Sequence, residues 1–321
     1  DRGIDIRGFV NGPLKLSTEE TDAGQSYEVD LTRASIELAE VGWSKSPGVA
    51  ARAVFRMNEA DGRREIRGFR LTSEGVEIEG GITLTSSGDL ERAEFSRFAL
   101  RTSDDASLRL SKRGRQITVD LQATRLDARG LIASMSATSK GGATDKTALK
   151  ITAEVGQLIG FNGVTLSGVS LAMSKDGGEL RALDLSGSSG GKSIFQAKLT
   201  GEGAGRELAG TFQDTGAILR FANLYDRMRG GVGLLSITMP TATEWTGRFK
   251  IKRLAITEDP AIRELARSPG VLEARDPRRQ QLMAAAERGG EATFSALDLE
   301  FRRNGDLLTI TDGTLAGPTI G

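Results

Sequence analysis

The sequence contains no cysteine and no histidine, and proline and aromatic residues are scarce. Without cysteine there are no disulfides, no thiolate nucleophiles and no cysteine-bound zinc. Without histidine the chain lacks the commonest general base and the commonest ligand of transition metals. A catalytic Ser–His pair is therefore excluded, and an enzyme would depend on carboxylates, Lys, Tyr or Ser. We expect no catalytic residue, no metal, no cofactor and no enzymatic activity.

The charges of the chain balance, because Lys plus Arg and Asp plus Glu number 43 each. The chain therefore lacks the basic excess that is typical of nucleic-acid-binding proteins, and we expect no nucleic-acid partner. No apolar run approaches the roughly 18 residues that a membrane-spanning helix needs. The chain of 321 residues begins at Asp1 and ends at Gly321. We expect it to be a fragment of a longer chain, with any membrane anchor outside it.

Alternation of apolar and polar residues dominates the sequence. Val76, Ile78, Ile82 and Leu84 alternate with polar side chains, which is typical of a half-buried strand. Such runs are separated by turn sequences, among them SSGD at 86–89, KRGR at 112–115, KDGG at 175–178 and RNGD at 303–306. The pattern predicts a mainly β fold: an elongated, curled antiparallel sheet with one apolar face, one charged face and a few short helices.

Helical spacing interrupts this pattern at few places. The clearest helix is predicted over 214–231, where Ile218, Phe221, Tyr225 and Met228 recur at helical intervals. Either Asp214 or Thr215 can cap its start, and Gly230 can end it. Two Asp-Pro starts predict a helical excursion over 258–289. The organisation expected is a β-groove region at 1–213, the helix at 214–231 and a C-terminal β-region at 232–321.

The stretch SGSSGGKS at 186–193 ends like a phosphate-binding loop. A phosphate loop needs a first glycine, where this sequence has Ser186, and it needs a following helix. Phe195, Ala197 and Leu199 alternate with polar residues instead, which predicts a strand. We therefore interpret the stretch as a loop between strands.

Paired charges offer no catalytic site. Carboxylate pairs occur at Glu19-Glu20, Asp104-Asp105 and Glu258-Asp259. The first two are interpreted as solvated loops and the third as a helix cap, because no pair can be placed in one cleft as glycoside hydrolysis requires. Arginine clusters are interpreted as outward charges of the sheet, and these lie at Arg63-Arg64, Arg113 with Arg115, and Arg278-Arg279.

The apolar face is the candidate site. Its inward positions are mostly Val, Ile, Leu, Ala and Gly, a smooth lining that favours sliding acyl chains over one oriented ligand. The predicted lining consists of Val76, Ile78, Ile82, Leu84, Leu108, Leu110, Ile117, Val119, Leu121, Ile151, Val155, Val169, Leu171, Met173, Leu183, Leu185, Leu199 and Phe212. The helix residues Ile218, Phe221, Tyr225 and Met228 form a possible plug, either a fixed cover of one end of the face or a movable one.

Four stretches resemble AsmA-like proteins, the bridge-like lipid transfer proteins of the YhdP and TamB type. These are DLTRASIELAEVGWSKSPGVAARAVFRM at 30–57, DTGAILRFANLYDRMRGG at 214–231, TGRFKIKRLAITEDPAIRELA at 246–266 and FSALDLEFRRNGDLLTITDGTLAGPTIG at 294–321. The resemblance implies a periplasmic protein anchored in the inner membrane, whose curled sheet carries phospholipid towards the outer membrane. It implies no catalytic residues.

Two functions are therefore weighed from the sequence. The first is a lipid-binding and transport module that conducts phospholipid, or another acyl-chain lipid, along an apolar groove between the two membranes. The second is a structural or adaptor β-domain of envelope assembly, whose apolar face is closed by its own packing.

Overall fold

The computed structural model describes residues 9–21, 24–60, 62–138, 147–261, 291–305 and 307–317, with the single positions 264, 277 and 280. This part of the chain is mainly β, and its strands form a large, curled, mostly antiparallel sheet. The predicted fold class is confirmed. The predicted helical excursion over 258–289 lies almost wholly outside the described residues.

The described residues contain twenty strands, which together include most of these residues. Their bounds are β1 Val10–Asn11, β2 Lys15–Thr21, β3 Gly24–Asp30, β4 Ser35–Leu38, β5 Trp43–Lys45, β6 Ala51–Ala60, β7 Arg63–Ser73, β8 Val76–Thr85, β9 Leu90–Ala99, β10 Asp105–Arg113, β11 Gln116–Asp127, β12 Ala148–Ile159, β13 Thr165–Asp176, β14 Glu179–Ser189, β15 Ser193–Thr200, β16 Glu207–Phe212, β17 Met228–Thr238, β18 Glu244–Thr257, β19 Glu291–Asn304 and β20 Leu307–Ala316. The helices are α1 Arg129–Thr138 and α2 Thr215–Phe221, with 3-10 turns at Ala39–Val41 and Gly203–Gly205.

The turns lie where Gly-rich sequences predict them. Gly114 (φ 58°) joins β10 to β11, and Gly305 (φ 60°) follows β19, conformations that favour glycine. The stretch at 186–193 is a turn between strands, but a shorter one than predicted. Its first residues complete β14, and only Gly190, Gly191 and Lys192 lie between the strands. The strand that the sequence predicts after it is β15.

The chain folds into two compact units, which we describe separately. Unit 1 comprises 1–158 and 169–178, and unit 2 comprises 159–168 and 179–321. The boundaries proposed from the sequence at 213 and 232 do not coincide with this division. In unit 1, antiparallel pairing runs through β2, β3, β6, β7, β8, β9, β10 and β11 in that order. A separate small sheet pairs β1 with β4 and β4 with β5.

The core of unit 1 lies at one end of its strands, where the small sheet packs over the apolar face. Ile36, on β4, is buried with Leu71, Val76 and Ile78 of the large sheet. Trp43 of β5 packs against the same cluster. This end of the apolar face is therefore covered by the protein's own side chains.

Unit 2 is a second antiparallel series from β14 to β20. Its core contains Met228, Ile251, Leu254 and Phe294, which are all nearly inaccessible to solvent. Helix α2 lies beside β17, so this core also occupies one end of the apolar face.

The helix predicted over 214–231 is much shorter than expected. Of the two candidate caps, Asp214 is the one observed, since its side chain accepts a hydrogen bond from the Ala217 backbone N–H at 2.9 Å, but the helix ends at Phe221. Tyr225 lies in the following turn, and Met228 is the first residue of β17, where it pairs with Ile256. Gly230 lies inside β17 and does not end a helix. Pairing with β18 therefore outweighs the local helical spacing.

Candidate functional site

The centre of the unit 1 apolar face carries one continuous line of side chains, which we call the mid-strand row. Successive strand pairings place its members side by side on one face, because directly paired residues of antiparallel strands point to the same side. The mid-strand row consists of Tyr27, Phe55, Phe69, Gly80, Phe95, Leu108 and Leu121. It crosses β3 and then β6 to β11, and except for Tyr27 its side-chain-bearing members are partly exposed.

A second line, the outer row, runs parallel to the first and farther from the small sheet. It consists of Met57, Ile66, Ile82, Ala93, Leu110 and Val119. Met57, Ile82, Leu110 and Val119 are half-buried, while Ile66 and Ala93 are buried. The two rows bring together five of the predicted lining residues: Ile82, Leu108, Leu110, Val119 and Leu121.

The aromatic part of the mid-strand row was missed by the sequence analysis, which expected a lining of small aliphatic side chains. Tyr27 stacks on Phe55 with 5.2 Å between ring centroids, and Phe55 and Phe69 are 6.4 Å apart. Phe69 and Phe95 follow at 6.1 Å across β8, where Gly80 has no side chain. The available signal was the alternation of each Phe with charged neighbours. The low overall aromatic content, 5%, led us to expect an aliphatic lining instead.

The remaining predicted lining residues are also shielded from solvent to some degree. Of all eighteen, six are buried (Val76, Ile78, Leu84, Val155, Val169 and Leu199), twelve are half-buried and none is exposed. In unit 2, pairing places Leu185 beside Ala197, Leu199 beside Leu208, and Phe212 beside Phe195. Five further predicted lining residues are half-buried: Ile117 in β11, Ile151 in β12, Leu171 and Met173 in β13, and Leu183 in β14.

Val76 and Ile78 do not line open space. Both belong to the buried cluster under the small sheet, so this part of the predicted lining is a closed core. The prediction was wrong for these two residues because residues 34–45 fold back over the sheet and cover them. The alternation within β8 gives no indication of this distant segment. In unit 1, the mid-strand and outer rows leave half-buried apolar surface along several strands.

A buried polar network supports the covered end of unit 1. Asp104 is 2% exposed, and its carboxylate accepts hydrogen bonds from the backbone N–H groups of Leu100, Arg101 and Asp127. The interpretation of Asp104 as a solvated loop residue was therefore wrong. The Asp127 carboxylate accepts hydrogen bonds from the side chain and the backbone of Arg129 at the start of α1. Burial raises the pKa of Asp127, but the hydrogen bonds from Arg129 and the charge of Arg101 outweigh it and hold the pKa below its usual value.

Lys45 fixes the small sheet from inside. Its side chain is buried, and its Nζ donates hydrogen bonds to the carbonyl oxygens of Thr32, Ala34, Ser46 and Val49. Burial lowers the pKa of Lys45, and the nearby charge of Asp30 acts against that shift. A charged group that is satisfied by four carbonyls orders the chain around it, so we assign Lys45 a structural role.

Helix α2 is fixed in unit 2 by close backbone contacts. A Cβ on Gly160 would lie 2.2 Å from the Phe221 ring, so the ring occupies the space that a side chain there would need. A Cβ on Gly216 would lie 2.6 Å from the Met228 carbonyl oxygen. Of the predicted plug residues, Phe221 and Met228 are buried, while Ile218 and Tyr225 are half-buried. The close contacts of Gly160 and Gly216 favour a fixed cover over a movable plug.

Tyr225 anchors the turn after α2. Its hydroxyl donates a hydrogen bond to the Asp259 carboxylate, and burial, together with that bond, raises the pKa of Tyr225. Asp259 also accepts a hydrogen bond from the Ala261 backbone N–H at 2.7 Å, as the interpretation of a helix cap predicts. The Glu19-Glu20 pair lies within β2, not in the loop expected.

The opposite face of unit 1 is a lattice of ion pairs. Arg63 contacts Glu91 at 2.8 Å and Arg115 contacts Asp176, as expected of outward charges. A depression of about 570 Å³ lies on this charged face beside Gly80 and Gly81. Its arginines are all paired with glutamates, Arg67 with Glu65 and both Arg92 and Arg109 with Glu94.

Comparisons with protein-family models, curated proteins and solved structures gave no match for this chain. In the described part of the chain, no helix is long and apolar enough to cross a membrane. No group of three or more acidic side chains among the described residues is placed to hold a metal ion.

Proposed function

We propose that this chain binds the acyl chains of lipids along the two apolar rows of unit 1 and conducts phospholipid between the inner and outer membranes. In this proposal the chain is a periplasmic module of a protein anchored in the inner membrane. One observation carries the proposal: apolar side chains that are only half-buried continue in register across successive strands.

The physical argument begins with the solvent exposure of these side chains. A core that folding has closed removes nearly all its apolar surface from water, whereas Ile82, Leu110, Val119 and Leu121 retain part of theirs. An acyl chain laid along them gains about 0.8 kcal/mol for each CH₂ group it buries. The face therefore offers binding energy that the protein has not used itself.

The mid-strand row is longer than one lipid tail. Seven strands give six steps of about 4.8 Å, or about 29 Å, whereas one leaflet contributes about 15 Å of hydrocarbon to a bilayer core. No charged side chain lies within the mid-strand row. A ligand on this row is held only by the burial of apolar surface, because no convergent polar groups fix it in one position. This favours movement along the row.

The first experiment asks whether lipid is present. The purified chain is extracted and its lipids are identified by mass spectrometry, and transfer of a fluorescent phospholipid between donor and acceptor vesicles is then measured. We expect phospholipid in the extract and transfer that rises with protein concentration. A chain that carries no lipid and transfers none would overturn the proposal.

A pair of substitutions then locates the site. Val119→Asp places a charge on the outer row, and Thr118→Asp places the same charge on the opposite face of the same strand. We expect Val119→Asp to abolish lipid binding and transfer while the chain stays folded, because its side chain is half-buried. Thr118→Asp should retain both activities.

The second candidate is a structural or adaptor β-domain with a closed core. The covered ends favour it, since the small sheet seals one end of the unit 1 face and α2 seals one end of the unit 2 face. In that case Val119→Asp should unfold the protein, with a loss of several kcal/mol measured by urea denaturation, and Thr118→Asp should not.

A further inference from the structure

The uncovered end of the unit 2 apolar face carries a cation. Strand pairing places Trp245 beside Arg303 and Arg303 beside Leu308. On the neighbouring row, Phe301 pairs with Ile310. These side chains lie far along the strands from the core around Met228 and α2. Leu308 and Ile310 are 59% and 64% exposed.

Arg303 lies on the apolar side of the sheet, between Trp245 and Leu308. Its guanidinium lies 5.1 Å from the centre of the Trp245 ring, and its Nε donates a hydrogen bond to the Gly305 carbonyl oxygen at 2.7 Å. In the described part of the chain it forms no ion pair. Two of its nitrogen atoms are thus free to meet an anion, and stacking on the indole fixes the plane of the guanidinium.

A second observation at this place also indicates a ligand. The Trp245 Nε1 atom is buried and has no hydrogen-bond partner among the described residues. Buried donors in folded proteins are nearly always paired, because an unpaired one loses its hydration without replacement. Indole and guanidinium together therefore offer hydrogen-bond donors but no charged acceptor, beside exposed aliphatic side chains.

We propose that Arg303 and Trp245 bind the phosphate of an anionic phospholipid headgroup, while Leu308 and Ile310 contact the first part of its acyl chains. This inference rests on the proposed function and names the lipid class that the sheet takes up. The charge of the site selects an anion, and the aliphatic surface beside it selects an amphiphile over a free anion. The site forms a headgroup-binding mouth at the uncovered end of the unit 2 face.

The test uses the tryptophan as its own reporter. Trp43→Phe leaves Trp245 as the single tryptophan of the chain, since the sequence contains two. Its fluorescence is titrated with lysophosphatidylglycerol and lysophosphatidylcholine below their micelle concentrations, and with inorganic phosphate. We expect tighter binding of the anionic lysolipid, with a blue shift, and no blue shift with phosphate alone.

Arg303→Gln should weaken binding of the anionic lysolipid roughly tenfold, as expected for one lost charge-assisted hydrogen-bonding group, with little effect on the zwitterionic one. Arg302→Gln is the matched control, because it removes the same charge from the opposite face at the adjacent position. Arg303→Lys should keep part of the preference. Circular dichroism checks that each variant is folded.

Some outcomes would overturn this inference and leave the proposed function intact. These are equal affinity for both lysolipids, equal effects of Arg302→Gln and Arg303→Gln, or the same blue shift with phosphate alone, provided that the chain still carries phospholipid. If the purified chain carries and binds no lipid at all, the proposed function fails instead.

Discussion

The carboxylate of Asp104 accepts a hydrogen bond from the backbone N–H of Asp127 at 2.9 Å, which ties the turn before β10 to the residues that lead into α1. The same carboxylate accepts two further backbone hydrogen bonds, from Leu100 and Arg101. One buried side chain thus organises a turn and a strand end that are 23 residues apart. The covered end of the unit 1 face depends on this junction.

Asp104→Ala should therefore destabilise the protein strongly. It leaves three buried or part-buried N–H groups without their acceptor, and we expect a loss on the order of 3 kcal/mol in the free energy of unfolding. Asp105→Ala is the matched control, because the neighbouring carboxylate is exposed and its ion pair with Arg97 is worth about 0.2–1 kcal/mol. Urea denaturation at pH 7 measures both, and equal losses would contradict the role of Asp104.

The stability contributed by Asp127 should depend on pH. Its pKa in the folded protein lies below the ordinary value of 3.8, so the contribution is fully present above that value. It is lost as the pH falls from about 4 through the lowered folded-state pKa. Asp127→Asn should cost about 1–3 kcal/mol at pH 7, because it removes the charge of a buried carboxylate that accepts hydrogen bonds from the half-exposed Arg129.

The difference between wild type and Asp127→Asn should shrink as the unfolding free energy is measured at successively lower pH below about 4. Asp30→Asn serves as a comparison, since the pKa of Asp30 is also lowered, by hydrogen bonds from Thr32, but at an exposed position. A difference for Asp127→Asn that does not change with pH would exclude an ionised Asp127 as the source of the stabilisation.

The sequence predicts these strands well because the alternation of apolar and polar residues is a local pattern. The predictions are wrong where contacts with distant segments determine the structure. Asp104 follows a strand end, but one of its hydrogen-bond donors is the backbone N–H of Asp127, 23 residues away. Met228 continues the helical spacing of Phe221, but pairing with Ile256 places it in a strand.

The candidate site shows the same limit. The alternation of each strand predicts which side chains are apolar, and most of the lining follows from it. It does not give the register that brings Phe55, Phe69 and Phe95 together across four strands. It also does not reveal that the small sheet covers Val76 and Ile78.

Gly80 should not tolerate a side chain. An added Cβ would lie 1.9 Å from the Glu94 carbonyl oxygen and 2.7 Å from the alpha carbon of Phe95, where the register of β8 and β9 shifts. Gly80→Ala should cost about 1–3 kcal/mol and disturb the aromatic part of the mid-strand row. The effect is read from urea denaturation and near-ultraviolet circular dichroism.

Gly81→Ala is the control for this substitution, since its Cβ would lie 3.3 Å from the Ile66 carbonyl oxygen and needs only a small adjustment. Replacing glycine also lowers the entropy of the unfolded chain, which offsets part of any strain. Equal losses for the two variants would show that the close approach to Glu94 is not what requires Gly80.

The absence of cysteine allows a direct test of whether the apolar rows are open to a lipid. Leu110→Cys and Val119→Cys place single thiols on the outer row, and Ser111→Cys and Thr118→Cys place them on the opposite face of the same two strands. Reaction with a water-soluble maleimide requires an accessible thiolate, so its rate reports access. If acyl chains cover the row, the first two thiols should react several-fold faster after detergent removes the lipid, while the other two keep their rates. A closed core would leave the outer-row thiols unreactive with and without lipid, because the protein's own packing would exclude the reagent, and lipid conduction along these rows would then be untenable.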